Sequence, residues 1–316
     1  MSASTPGPRA SDPELRAPSP EPRAPSPESR ASSPESRIPN PGSGSPIGVF
    51  DSGVGGLSVL REIRRELPAE DLIYVADSGY APYGDRPAEY VRGRAVAIME
   101  FLRTQDTKAV VVACNTATGI AVDVLRARYD LPIVAIEPAV KPAVARTRSG
   151  IVGVLATTQT LAGRKFARLV STHAGDVEVL TQACPGLAEQ IEAADLASQS
   201  TRSLVERYLR PVLDRGADTI VLGCTHYPFV SDLIREIAGA GVTVIDSAVP
   251  VARELRRRLQ STGLLAPVSR HGFVTFFTTG SLDSVQPAVA QLWASDVEVR
   301  PVSAATNTQE RSAGAR

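Results

Sequence analysis

Three short apolar runs in this chain end in side chains that a buried core does not require. AVVVA runs into Cys114-Asn115-Thr116 and TIVLG into Cys224-Thr225-His226, while IGVF runs into Asp51-Ser52 and then Gly53, Gly55 and Gly56. A lone cysteine is most often a small buried hydrophobe, and Cys184, in ACPGL, reads that way. Cys114 and Cys224 differ because a polar group follows each one at a strand's carboxyl end, where open α/β sheets bind ligands. A helix N-terminus close behind such a thiol lowers its pKa toward thiolate. His226 either assists Cys224 or satisfies a core hydrogen bond; the residues alone leave both open.

Two thiols facing one ligand would suit inversion of a stereocentre. A proton must leave one face and another must arrive on the opposite face, which calls for two acid–base groups, one thiolate and one thiol. Cysteine fits because its reference pKa, about 8.5, is readily tuned to working pH. Carbanion charge would be met by oriented amides and hydroxyls, and no metal or cofactor motif is visible. The glycine loop fits a dinucleotide fingerprint poorly: the third glycine would fall at Ser58, and Glu70 and Asp71 precede a strand instead of ending one. Read instead as a tight turn with exposed amides at a helix N-terminus, it suits a carboxylate. Asp51 would then face the ligand's ammonium, with Ser52 hydrogen-bonding the ligand.

The elements that must position these groups follow from the apolar pattern. Runs at Ile47–Phe50, Leu72–Val75, Ala109–Ala113, Ile133–Ile136, Ile151–Leu155, Thr219–Leu222, Val242–Ile245 and Phe273–Thr278 alternate with helix-like segments such as Leu57–Glu66, Glu89–Leu102, Ile120–Arg128 and Ser231–Ile237. Continuous apolar strands alternating with helices indicate parallel sheet buried on both faces, an α/β architecture. The halves echo one another. IGVFDSGVGGLS and IVGVLATTQTLA each run a strand into a small polar loop, and AVVVACNTAT and DTIVLGCTHY each run a strand into cysteine. Two like domains facing each other would bring one thiol to each side of a shared cleft.

Composition narrows the alternatives. At 316 residues, 43% hydrophobic and 22% charged, the chain has the make-up of a globular protein. Zero formal net charge and 5% aromatics argue against a nucleic-acid surface. No apolar run approaches the roughly 18 residues of a membrane helix. Three scattered cysteines make neither a disulfide framework nor a zinc cluster, which points to a reducing, cytoplasmic compartment. Residues 1–45 stand apart, repeating RAPSPEP, RAPSPES and RASSPES from Arg16, Arg23 and Arg30. Proline at this density, with little to bury, indicates a disordered or polyproline-like tail. It lacks the apolar region of a secretory signal, and its recurring glutamates disfavour a transit peptide.

The phrases FDSGVGGLSVL (50–60), ADSGYAPYG (76–84), ACNTAT (113–118), ACPGLAEQIE (183–192) and GCTHYP (223–228) closely resemble the glutamate racemases of the aspartate/glutamate racemase superfamily. The resemblance covers roughly residues 47–259. It implies two α/β domains related by pseudo-twofold symmetry, with the active site between them: 47–141 plus 246–300, and 142–245. Residues 301–316 are expected to form a disordered C-terminus. It further implies that Cys114 acts on the D-enantiomer and Cys224 on the L-enantiomer. Asp51 and Glu192 would assist on the first thiol's side and His226 on the second's. Substrate contacts would come from Asp51, Ser52, Tyr83, Gly84, Asn115, Thr116, Thr118, Thr225 and His226. The family needs no pyridoxal phosphate, commonly forms dimers and supplies D-glutamate for peptidoglycan. Thr118 stands where many relatives carry serine, which keeps the hydroxyl.

Two rivals remain from the sequence: a related racemase or isomerase acting on aspartate, hydantoins or a small diacid, and a non-catalytic two-lobed binding protein. Interaction with DNA gyrase, found in some members of the family, has no support in these residues.

Overall fold

The computed structural model describes residues 42–293 and 295–302; the repeat tail through residue 41 and the stretch 303–316 lie outside them. Two parallel sheets organise the described chain. The first is built from β1 (Ile47–Asp51), β2 (Leu72–Ala76), β3 (Ala109–Val112), β4 (Ile133–Ala135), β9 (Val274–Thr278) and β10 (Val299–Pro301), and the second from β5 (Ile151–Ala156), β6 (Glu178–Ala183), β7 (Thr219–Leu222) and β8 (Thr243–Ile245). The first runs in the order β10-β9-β2-β1-β3-β4 and the second β6-β5-β7-β8. Dropping β9 and β10 leaves the same order in both, so the sequence echo is a topological repeat in which β3 corresponds to β7.

Between the strands lie α1 (Leu57–Glu66), α2 (Ala88–Thr104), α3 (Asn115–Arg128), α4 (Val140–Val144), α5 (Thr158–Ala162), α6 (Arg164–His173), α7 (Leu187–Glu192), α8 (Gln199–Leu213), α9 (Ser231–Ala238), α10 (Ala248–Ser261) and α11 (Leu282–Trp293). Each sheet is covered on both faces, as all-parallel sheet demands. Helices α1, α10 and α11 close one face of the first sheet, and α2 and α3 the other. In α1 the periodic Leu57, Leu60 and Ile63 are fully buried, each stabilising by about 1.5–3 kcal/mol. Helices α7 to α9 close one face of the second sheet, and α4 to α6 the other. A sheet with its helices is called a lobe below.

All eight expected strands form, with ends shifted by a residue or so. Two further strands, β6 and β10, are sheet edges without a continuous apolar run, unlike the edges β4 and β8. In β6, EVLTQA is only half-buried and mixes polar with apolar residues. Strand β10 is three residues ending in Pro301, so the expected disordered start at 301 is corrected: Pro301 pairs with Thr278 and the Val302 N–H donates to the Thr278 carbonyl. Helix α3 begins at Asn115, five residues before the expected start, directly behind Cys114. Among the described residues no helix is long and apolar enough to cross a membrane.

Candidate active site

The repeat delivers one thiol from each lobe to a single cavity. Cys114 follows β3, Cys224 follows β7, and both line a cavity of about 320 Å³ between the lobes, together with Ser52, Asn115, Thr116, Tyr83, Gly84, Thr225 and His226. Both cysteines are buried and neither is in a disulfide.

Cys114 is the N-cap of α3, its Sγ accepting the Ala117 N–H at 3.4 Å. Its S–H lies 3.8 Å from the Ser52 Oγ. Burial pushes this thiol well above its ordinary pKa, the negative Asp51 adds to that, and the Ala117 amide works against both. The helix N-terminus therefore does lower it, as the sequence suggests, but desolvation wins. Asp51 is fully buried. Its Oδ2 accepts the Gly56 N–H at 2.8 Å and the Thr225 hydroxyl at 3.3 Å from the opposite lobe, while Oδ1 has no partner among the described residues. Burial raises the Asp51 pKa, His226 opposes that and Glu192 reinforces it.

Cys224 sits in a different chain of contacts. Its Sγ is 3.5 Å from His226 Nδ1, and His226 Nε2 is 2.5 Å from Glu192 Oε1. Burial disfavours a charged imidazole, but Cys224 and Glu192 together outweigh it and raise the His226 pKa well above its ordinary value. Glu192 thus belongs with His226 and Cys224, which corrects its expected pairing with Asp51 near Cys114. The reason is topological: α7 lies in the second lobe, packed beside the turn that follows Cys224.

The glycine loop also departs from expectation. Its amides are taken by the protein's own carboxylates, Val54 N–H by Glu192 at 2.7 Å and Gly56 N–H by Asp51. A Cβ on Gly53 would overlap the Glu192 carboxylate, and one on Gly55 would overlap the His226 ring. These glycines let the second lobe's His–Glu pair press against the first lobe's backbone.

Thr116 faces the second lobe, with Oγ1 3.0 Å from Thr157 Oγ1 and 3.3 Å from Thr160 Oγ1. Asn115 lines the cavity with both side-chain polar atoms buried and unpartnered among the described residues. Tyr83 lines the cavity too, but its hydroxyl turns away and donates to Asp77. Thr118 does not reach the cavity that the two thiols line. One turn into α3, it lines a neighbouring cavity of about 300 Å³, and its hydroxyl is buried without a partner. Asp51 and Glu192 stand behind the wall. Thr157 and Thr160, missed as site residues, were signalled by the echo: their loop ATTQT in the second half corresponds to DSGVG in the first. Among the described residues no group of three or more His, Cys, Asp or Glu side chains is placed to hold a metal.

Two like parallel-sheet lobes thus place one thiol each, from the same strand end, in a shared cleft. The chain belongs to the family described as Asp/Glu/Hydantoin racemase, whose profile matches residues 47–255. It is 53% identical over 259 residues to the glutamate racemase of Methylococcus capsulatus, covering 82% of this chain and 96% of that protein. Among solved structures it superposes on the glutamate racemase of Bacillus anthracis with a TM-score of 0.76 at 35% identity, covering 82% of this chain and 98% of that one. The Escherichia coli glutamate racemase, solved in complex with L-glutamate and an activator, gives a TM-score of 0.71 at 31% identity over 81% and 97% of the two chains.

Proposed function

We propose that this chain is a cofactor-independent glutamate racemase working by two-base proton transfer, with Cys114 and Cys224 as the acid–base pair. The observation that carries the reading is that these two thiols, at equivalent strand ends of the two lobes, line one cavity. From L-glutamate, the Cys224 thiolate takes the Cα proton, and His226, charged and held by Glu192, stabilises the negative sulfur before it reacts. The electron pair left on Cα is shared with the α-carboxylate. The Cys114 S–H then delivers its proton to the opposite face and ends as thiolate. The D-to-L reaction is the reverse.

In this scheme the ligand's ammonium lies toward the unpartnered Asp51 Oδ1 behind the cavity wall, and its carboxylates meet Asn115, the cavity hydroxyls and the Tyr83–Gly84 backbone. An ammonium near Asp51 would offset one of the three influences, burial, Asp51 and Cys224, that hold the Cys114 proton, so substrate binding itself prepares that thiol. Thr118 acts beside the pocket rather than in it. The two lobes serve as the two domains, with α4 (Val140–Val144) wholly in the second and β10 carrying the first to Pro301. By the resemblance, the enzyme is a cytoplasmic homodimer supplying D-glutamate for peptidoglycan. The name of the relative and the L-glutamate complex of the Escherichia coli enzyme favour glutamate over aspartate or hydantoins.

The deciding experiment is incubation with L-glutamate in D₂O under reducing conditions without added cofactor, following the Cα–H signal and optical rotation. Loss of both supports racemisation. Persistence of both, with turnover of aspartate in its place, would overturn the substrate assignment.

A further inference from the structure

Asp77, at the end of β2, is fully buried and takes no part in the scheme above. Its carboxylate gathers donors from three other segments. Oδ2 accepts the Tyr83 hydroxyl and Arg94 Nε at 3.0 Å, while Oδ1 accepts Arg94 Nη2 at 2.9 Å and the Thr279 hydroxyl at 2.8 Å. Thr279 Oγ1 in turn accepts the Gly79 N–H at 3.2 Å, and the Arg94 guanidinium stacks 3.3 Å above the Tyr80 ring. The Asp77 N–H donates to the Asp51 carbonyl at 3.0 Å. The Asp77 carboxylate therefore ties helix α2 and the segment after β9 to the loop that carries Tyr83 and Gly84, while its backbone N–H holds the β2 end to the β1 end.

That loop is a cavity wall that packs closely against the opposite lobe. A Cβ on Gly84 would lie 3.1 Å from the Thr157 Cβ, so a small shift of the wall changes the cavity. A charged, bidentate Arg–carboxylate pair at full burial of the acid fixes geometry more tightly than surface pairs do. We infer that Asp77, Arg94 and Thr279 are positioning residues that hold the Tyr83–Gly84 wall at the distance from Thr157 that bound substrate requires. The inference rests on the racemase reading for its substrate, but the clamp itself is tested without it.

Arg94→Lys keeps the charge and loses the fork; Thr279→Val keeps the shape and loses one donor. Arg270→Leu is the control, removing the Arg270–Asp71 pair at the other end of β2. In amide hydrogen exchange of the free protein, both clamp variants should speed exchange within residues 78–86 by about tenfold, and Arg270→Leu should not. Because the wall touches substrate in ground and transition states alike, KM for L-glutamate should rise about tenfold with kcat held within about threefold. Unchanged exchange in residues 78–86, or an equal KM change in Arg270→Leu, would overturn the inference. A wild-type protein inactive on glutamate sinks the racemase reading instead, and the exchange rates still decide the clamp.

Discussion

Glu192 and His226 share a 2.5 Å contact, and the same Glu192 oxygen accepts the Val54 N–H of the opposite lobe at 2.7 Å. One carboxylate therefore contributes both to lobe closure and, with Cys224, to the charge on the histidine. Neither bond is available to Glu192 unless Gly53 and Gly55 carry no side chain, so the glycine loop, the carboxylate and the imidazole form one unit.

Glu192→Gln should separate these roles. Glutamine still accepts from Val54, but it no longer raises the His226 pKa. That pKa should fall, and the alkaline limb of kcat/KM for L-glutamate should move to lower pH. A pH–rate profile that does not move would show that His226 draws its charge from elsewhere. The same group links to stability. Its folded pKa lies above the unfolded value of 6.5, so its contribution is complete below pH 6.5 and is lost as pH rises through the folded value. Urea midpoints for the wild type should decline across that alkaline range, and those of His226→Asn should decline less.

Cys114→Ser and Cys224→Ser should each lower racemisation by about 10³-fold, within the range of general acid–base contributions, while the circular dichroism of the folded chain is kept. A polarimetric time course reads this directly. Cys184→Ser, with no cavity-lining role, should racemise at close to the wild-type rate.

Gly55→Ala places a methyl where the His226 ring sits. Activity should drop about 100-fold or more, with a stability loss of about 1–3 kcal/mol from overpacking. Gly93→Ala is the counterpart. Gly93 is exposed within α2 with no neighbour near its virtual Cβ, and alanine there should stabilise by about 0.5–1 kcal/mol. Thermal melts of the two variants should move in opposite directions.

Asp218 tethers the turn before β5, accepting from Thr147 Oγ1 at 2.7 Å, Arg148 N–H at 2.8 Å and Ser149 N–H at 2.9 Å. Burial works against its charge, but these donors prevail and hold its pKa below the ordinary 3.8. The stability it contributes is present above pH 3.8 and is lost as pH falls through the folded value. Asp218→Asn should cost about 2 kcal/mol at pH 7, and the gap to wild type should narrow on acidification. A constant gap in urea melts from pH 7 to pH 2 would refute the assignment.

The strands carrying Asp51, Cys114 and Cys224 were legible because parallel strands buried on both faces leave a continuous apolar signal, broken only where function intrudes. The edge strand β6 left none, since half of it faces out. Glu192 could be named from its motif but not assigned a partner, because α7 and the turn after Cys224 meet only through the packing of the second lobe. Tyr83 was recognised as lining the site, yet the direction of its hydroxyl depends on Asp77, six residues away across a turn. Thr118 shows the limit of helical spacing: three residues past Asn115, it is on the same side of α3 but opens on a different cavity.

Cys224, His226 and Glu192 all belong to the second lobe, and Cys114, Ser52 and Asp51 all belong to the first. Parting the lobes breaks the bonds that run between them, Val54 to Glu192, Thr225 to Asp51 and Thr116 to Thr157, and leaves each sulfur with its own retinue intact. The protonation pattern left by one turnover therefore travels with the lobes as they separate. Under the two-base scheme, a protein that has just released D-glutamate is poised for D-glutamate again, and it must exchange protons with solvent before accepting another L-glutamate.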